Sequence, residues 1–236
     1  MKIVLQKFIA ESGYCSRRQA EELIRQKKVL VNSKLAELGM KVDEGDEVKI
    51  GGQKLSLSKE KIYIILNKPK GYTCTNRQFA GEKSILDLVG SPERLFAVGR
   101  LDKDSRGLVL LTNDGDLALK LTHPRYEHEK EYIATITNYQ LRITNDEAVN
   151  KFKSGVDIGE GDGIVKVKDV KYLGDNKFRI ILTEGKKRQI RRMFKTIGCE
   201  IDDLVRVRIG NIKLENLGEG CWKKIDANEI NKSFRN

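Results

Sequence analysis

The sequence has 236 residues, 39% of them hydrophobic, which is enough for one large domain or for one medium and one small domain. No apolar run approaches the roughly 20 residues of a membrane span, and the N-terminus becomes polar too early for a signal peptide. A soluble, non-exported protein with no membrane partner is predicted. The formal net charge of +11 favours a polyanionic partner, since Lys and Arg side chains displace the counterions of phosphates.

The cysteine and histidine content argues against a disulfide framework and against a metal centre. The four cysteines are widely spaced without a C-x-x-C pair, and the chain has only two histidines. Reduced thiols are the simplest interpretation, which predicts a cytoplasmic location.

The first 58 residues show the pattern of a small α/β module. Two helices are predicted from apolar residues at helical spacing, Leu5, Phe8, Ile9 and then Ala20, Leu23, Ile24. Ser16 with Gln19 three residues later predicts a capping box at the start of the second helix. Extended segments at 29–31 and 48–50 complete a small sheet, and the polar stretch 51–61 is predicted to be a linker.

Several cations lie outside the apolar stripe of the second helix. Arg17, Arg18 and Arg25 form either an RNA-binding face or a solvated face that pairs with Glu21 and Glu22. Charge alone does not separate these alternatives. Residues 3–52 resemble an S4 RNA-binding domain, and the resemblance favours RNA contacts by Arg17, Arg18 and Lys34.

The remaining residues, 59–236, predict a mixed domain of strands and helices. Strands are predicted at 62–66, 95–98, 108–111, 133–136, 164–172, 178–182, 205–208 and 212–214, and helices at 85–89, 115–121, 145–153 and from about 188. A loop at 73–83, an Asn145 helix cap and a polar tail from about 226 are also predicted.

The segment 99–107 lies between two short apolar runs that are typical of buried strands. Asp102 is therefore predicted at the mouth of a sheet, on a loop held from both sides. Taken alone, it is compatible with an ordinary turn residue. Calcium binding through Asp102 and Asp104 fails, because the twelfth position of the loop is Asn113 where a bidentate Glu belongs.

The segment from Arg188 predicts a helix with two opposed faces. Its apolar face is Ile190, Met193, Phe194 and Ile197, and its basic face is Arg188, Arg191, Arg192 and Lys195. The basic face has no acid on the same helix, so a partner anion is expected to neutralise it.

Gly99-Arg100-Leu101-Asp102, followed by Ser105 and Gly107-Leu108, resembles the signature loop of the pseudouridine synthases. The match is to the RsuA/RluB/RluF branch, which modifies ribosomal RNA. The Lys68-Pro69-Lys70-Gly71 turn, Tyr132 and the segment 188–193 also match that branch.

The resemblance implies a role for each matched residue. Asp102 is the catalytic carboxylate, acting at the sugar as a nucleophile or as the base that leads to a glycal. Tyr132 faces the target base, Ile190 gives that base an apolar wall, and Arg191 pairs with Asp102. Arg100 helps to displace the target nucleotide, and the implied RNA contacts further include Lys68, Arg188 and Arg192.

The predicted protein is α+β, with an S4-like domain and linker at 1–58 and a pseudouridine synthase domain at 59–236 built on a mainly antiparallel sheet with flanking helices. It is expected to be a monomer that isomerises a uridine in 23S ribosomal RNA without a cofactor or metal. The alternatives are a 16S target, a non-catalytic RNA-binding assembly factor and, more distantly, a DNA-binding protein.

Overall fold

The computed structural model describes residues 2–43, 45–57, 60–76, 80–137 and 144–234. The chain divides into two compact units, one of residues 1–62, 91–95 and 113–115 and one of 63–90, 96–112 and 116–236. The predicted domain boundary at residues 58 and 59 lies outside the described residues and stays a prediction. Within the described segments, every helix is too short or too polar to cross a bilayer.

The first unit has two helices and a small antiparallel sheet. Its elements are β1 Ile3–Val4, α1 Leu5–Glu11, α2 Arg17–Arg25, β2 Val29–Val31, β3 Lys34–Leu35, β4 Lys41–Val42, β5 Val48–Ile50 and β6 Gln53–Lys54. The sheet order is β3-β2-β5-β6, and β1 pairs with β4. The apolar stripes of α1 and α2 share one core with Val29, Val48 and Ile50, which explains their spacing in the sequence.

Local signals in this unit are confirmed. Ser16 accepts a hydrogen bond from the Gln19 amide, and the Gln19 side chain accepts one from the Ser16 amide, so the capping box forms at the start of α2. The linker prediction for 51–61 is wrong in part, because Gln53 and Lys54 extend the sheet as β6 and Leu55 is buried.

The second unit is built on one mixed, mainly antiparallel sheet. Its strands are β7 Tyr63–Lys68, β8 Tyr72–Thr73, β9 Lys83–Ser84, β10 Phe96–Val98, β11 Arg106–Thr112, β12 Lys130–Ile136, β13 Val156–Asp157, β14 Ile164–Val165, β15 Asp169–Gly174, β16 Lys177–Leu182, β17 Ile201–Ile209, β18 Ile212–Lys213 and β19 Trp222–Lys224. Its helices are α3 Ile85–Val89, α4 Gly115–Thr122, α5 Asn145–Ser154, α6 Gln189–Lys195 and α7 Ala227–Ser233, with a 3-10 turn at Pro124–Tyr126.

The main sheet places the ends of the Asp102 loop beside two long strands. Its order is β15-β16-β12-β17-β11-β7-β19, with β10 on β11 and β18 on β17. β11 runs parallel to β17 and antiparallel to β7, so it lies in the interior of the sheet. On one face, Tyr63, Ile65, Leu108 and Leu110 pack with Ile230 and other apolar residues in a shared core.

Three predictions in this unit are corrected by the structure. The strand predicted at 164–172 is two strands, because β14 pairs with β13 and β15 pairs with β16. The cap of α5 is Thr144 rather than Asn145, and it forms a capping box with Glu147. The polar tail from about 226 is wrong, because Asp226 caps α7 and Ile230 on that helix is buried.

The loop predicted at 73–83 includes residues 77–79, which lie outside the described residues. On either side of them, Tyr72–Thr73 and Lys83–Ser84 pair as the short parallel strands β8 and β9.

Candidate active site

The Asp102 loop leaves the sheet between β10 and β11. These strands pair antiparallel, with Val98 opposite Leu110, so the two ends of the loop are held close together. The Asp102 side chain is 38% exposed, whereas Leu101 and Ser105 on the same loop are buried. The strands and these buried residues thus anchor the loop and leave its two carboxylates partly exposed, at 38% for Asp102 and 48% for Asp104.

Lys68, at the end of β7, is buried under this loop. Its ammonium donates to the carbonyl oxygens of Ser105 at 2.6 Å, Pro69 at 3.0 Å and Lys103 at 3.4 Å. Burial lowers the pKa of Lys68, and electrostatic interactions with Cys74, Asp104 and Asp102 oppose that shift. The predicted RNA contact of Lys68 is therefore wrong, because all its donors are used inside the protein; its packing beside the loop is confirmed.

Asp104 is the acid that anchors the loop to α6. Arg188 donates to both of its carboxylate oxygens, at 3.0 and 2.9 Å, and the Nε of Arg191 lies 3.4 Å from Oδ2. Arg191 also donates to the Asp104 and Ile201 carbonyl oxygens. The hydrogen bonds from Arg188 hold the pKa of Asp104 below its ordinary value against the opposing effect of burial, and the charge of Arg191 adds to them.

The predicted ion pair between Arg191 and Asp102 is therefore wrong. Among the described residues, the cation on Asp102 is Arg188, with Nη1 3.9 Å from Oδ2. Arg188 has φ of 51° and precedes α6, which begins at Gln189. Its side chain therefore leaves the basic face predicted by helical spacing and reaches the loop.

Three of the four cations predicted for the basic face of α6 have acid partners inside the protein, which corrects a second expectation; the fourth, Lys195, is exposed and has no ion pair with a described acid. Arg188 and Arg191 use Asp104, and Arg192 pairs with Asp162 at 2.6 Å while donating to the Ile158, Gly159 and Lys187 carbonyl oxygens. The acids come from distant loops, so spacing along one helix could not reveal them. Arg192 holds the loop between β13 and β14 through its hydrogen bonds to Ile158, Gly159 and Asp162. Its donors are used inside the protein, which argues against its predicted RNA contact.

A cleft of about 860 Å³ opens beside Asp102, within the range of about 300–1,000 Å³ typical of ligand pockets. Tyr132, Leu182, Ile190 and Leu204 line it and are largely buried. Its polar lining comes from the segment 73–75, from the Asp102 loop and from the segment that leads into α6, and it includes Arg100, Asp102, Lys103, Ser105, Lys186, Lys187, Arg188 and Gln189, the first residue of α6. Apolar side chains beside a carboxylate and several cations suit a nucleotide.

The structure thus brings Asp102, Tyr132, Ile190, Arg100 and Arg188 to one cleft. No group of His, Cys, Asp and Glu in the described segments has the arrangement of a metal site. In the first unit, Arg17, Arg18 and Lys34 are exposed. Arg25 pairs with Glu22 at 3.6 Å, whereas Arg17 and Arg18 form no ion pair with a described acid.

Sequence reasoning missed two residues at this site. The sequence indicates Asp104 only as a calcium ligand that fails, although its place two residues after Asp102 is a signal. It predicts only that Arg206 lies in a strand, whereas in the structure Arg206 is buried on β17 behind the loop. Strand alternation puts Arg206 on the same face as Arg208 and opposite Val205 and Val207, which predicts an exposed side chain, so the sequence carries no signal for its burial.

Comparison with known proteins agrees with this geometry. The family model for RNA pseudouridylate synthase matches residues 62–196, and the S4 domain model matches residues 5–48. The chain belongs to the RNA pseudouridylate synthase family and is an isomerase that converts uridine to pseudouridine, with an N-terminal RNA-binding S4 domain.

Individual relatives match over nearly the whole chain. The dual-specificity RNA pseudouridine synthase RluF of Escherichia coli O6:H1 is 40% identical over 98% of this chain and 78% of its own length. The ribosomal large subunit pseudouridine synthase B of Bacillus subtilis is 37% identical over 97% of this chain and 94% of its own length. A pseudouridylate synthase crystal structure superposes with a TM-score of 0.70 and 31% identity, over 98% of this chain and 99% of that one.

Proposed function

We propose that the protein isomerises a uridine of 23S ribosomal RNA and that Asp102 is its catalytic residue. The observation that carries the proposal is the placement of the partly exposed Asp102 carboxylate beside Tyr132 and Ile190 in a cleft large enough to admit a nucleoside. The similarity to RluF and to a large-subunit synthase supports 23S rather than 16S ribosomal RNA as the substrate.

The reaction breaks the glycosidic bond, turns the uracil and rejoins it through carbon 5. The uridine must first leave its stack, which costs a few kcal/mol. Arg100 at the rim of the cleft takes the vacated place, and the base lies between the Tyr132 ring and the Ile190 side chain. The Asp102 carboxylate then acts on the sugar as a nucleophile or as a base, and the bond between carbon 1′ and N1 breaks. Carbon 5 of the detached uracil bonds to carbon 1′, carbon 5 loses its hydrogen as a proton, and N1 gains a proton.

The cations of the site keep the loop in place. Arg188 contacts Asp104 through two hydrogen bonds and lies 3.9 Å from Asp102, so it links the loop to the start of α6. Arg191 acts as a positioning residue, because its contacts are to Asp104, Ser105 and Ile201 rather than to Asp102.

The D102N variant tests the assignment. We expect pseudouridine formation to fall by at least about 10³-fold, since the carboxylate that acts on the sugar is gone, while RNA binding stays within about twofold of the original. Tritium release from 23S RNA carrying 5-tritiated uridine measures the first quantity and filter binding the second. D175N, the same change at an exposed hairpin turn, is the matched control.

Retained turnover in D102N would rule out Asp102 as the catalytic group. Pseudouridine mapping in ribosomal RNA from a deletion strain, complemented with the original gene, tests the substrate. Restoration of one position in 23S RNA is expected, and restoration only in 16S RNA would overturn the choice of subunit.

A further inference from the structure

Arg206 is a buried cation behind the Asp102 loop, and the mechanism above does not use it. It is 1% exposed and makes no ion pair with any described acid. Its Nη2 is buried without a hydrogen-bond partner among the described residues. A buried charge without a counter-charge lowers the stability of a fold, so its presence in the core needs a reason beyond packing.

The hydrogen bonds of Arg206 join the two arms of the loop. Nε donates to the Leu108 carbonyl oxygen at 2.7 Å, and Nη1 lies 3.5 Å from the Arg100 carbonyl oxygen. Leu108 lies in the buried run of β11 after the loop, and Arg100 lies two residues before Asp102. One guanidinium therefore contacts the backbone on both sides of the catalytic carboxylate.

The backbone of Arg206 is equally close to the loop. Gly107 lies opposite Arg206 in the parallel register of β11 and β17, and a Cβ at Gly107 would come within 2.3 Å of the Arg206 carbonyl oxygen. Tyr132 is the neighbour of Arg206 on the other side, in the antiparallel register of β12 and β17. Arg206 thus sits in the sheet between the strand that follows the loop and the residue that faces the target base.

We propose that Arg206 is a positioning residue for Asp102. Its guanidinium fixes both arms of the loop, and its uncompensated charge helps to keep the Asp102 carboxylate ionised when phosphates of RNA enter the cleft. The inference rests on the proposed catalytic role of Asp102.

Other charged and titratable groups share this environment, and the test must separate their effects from that of Arg206. Those around Asp102 are Arg188 before α6, Lys68 on β7, Arg100, Lys103 and Asp104 on the loop, Cys74 and Tyr132 in the cleft wall, and Lys186 and Lys187 at its rim. Those around Arg206 are Lys68 on β7 and Lys130 on β12, with Glu184 near Lys130. Burial and the charge of Arg206 both lower the pKa of Lys130, which indicates that the positive field of Arg206 extends along the sheet.

The experiment compares R206Q and R206K by the single-turnover rate of tritium release as a function of pH, at saturating enzyme. Loss of a nearby positive charge raises the pKa of a carboxyl, so the acidic limb of the R206Q profile should move to higher pH by roughly one unit. The rate on the plateau should fall roughly tenfold or more, because the loop is less well held. R206K should leave the limb in place and lower only the plateau rate.

R208Q is the matched control, because Arg208 lies on the same strand but is neutralised by Glu129 and Glu131. Its limb should coincide with that of the unmodified enzyme, and the RNA dissociation constants of all variants should stay within about twofold of it. A purely structural role of Arg206 would lower thermal stability without moving the limb.

The proposal is overturned if the acidic limb of the pH–rate profile does not move in folded R206Q, or if it moves equally in R208Q. If R206Q does not fold, R206K decides: the proposal requires a reduced plateau rate, and an unchanged rate overturns it. Activity of D102N would instead refute the proposed function, so the two failures are distinguishable.

Discussion

At the scale of single residues, the acid near the proposed catalytic carboxylate organises the site. Asp104 pairs with Arg188 and Arg191, and Arg188 also lies near Asp102. Both acids are partly exposed, but Asp102 lines the cleft whereas Asp104 is tied to Arg188 and α6. The division follows from contacts, since both are aspartates on one loop.

The D104N variant tests this division through stability. Because the folded-state pKa of Asp104 is lowered, its ionised form contributes stability above the unfolded-state pKa of about 4, and that contribution is lost as the pH falls through the lower folded-state value. D104N should therefore be less stable than the unmodified protein at pH 7, with a difference that shrinks below about pH 4. Urea unfolding at pH 7, 4 and 3 measures it, and a constant difference would refute the role assigned to Asp104.

At the scale of elements, the contact between β11 and β17 determines where the loop lies. Gly107 has φ of 106°, and its register partner is Arg206. Arg106 beside it forms a double hydrogen bond with Asp203 on β17. The two strands approach so closely that position 107 has no room for a side chain.

G107A should therefore destabilise the protein by roughly 2–5 kcal/mol, through a backbone clash added to the strain of a positive φ. The change in the free energy of unfolding is measured by urea titration. G174A is the control, because Gly174 also has a positive φ of 88° but no described atom lies within 4 Å of the position that its Cβ would occupy. Equal losses in the two variants would mean that strain, rather than strand approach, explains the glycine.

At the scale of the whole molecule, an RNA-binding S4 domain and a synthase domain lie on one basic chain. We expect the S4 domain to supply affinity and the cleft to supply chemistry. The exposed Arg17 and Arg18, which form no ion pair with a described acid, are the residues on which this expectation is tested.

R17Q/R18Q should weaken RNA binding and reduce the slope of log K against log salt by about 2, since each phosphate contact contributes about 0.9. The single-turnover rate at saturating enzyme should be unchanged. K171Q/K177Q removes the same charge from exposed positions of β15 and β16 and is the control. An equal loss of RNA affinity in both double variants would mean that net charge alone explains binding and that Arg17 and Arg18 have no specific role.

Local signals predicted much of the fold and of the site. The stripes of α1 and α2, the capping box at Ser16 and the apolar runs of β10 and β11 are encoded within a few residues each, and all are present. The polar appearance of 226–236 misled, because its only large apolar residues are Ile230 and Phe234, whose core partners lie elsewhere in the chain.

The sequence alone determined the class of enzyme, the RNA-binding module and the carboxylate on which the proposed chemistry depends, because motifs and periodicities are short-range properties of the chain. Only the tertiary structure decided which cation meets which acid. Arg188 is 84 positions from Asp104, and Arg206 is 106 positions from Arg100. Such pairs depend on strand order and register, and spacing along one helix or strand carries no record of them.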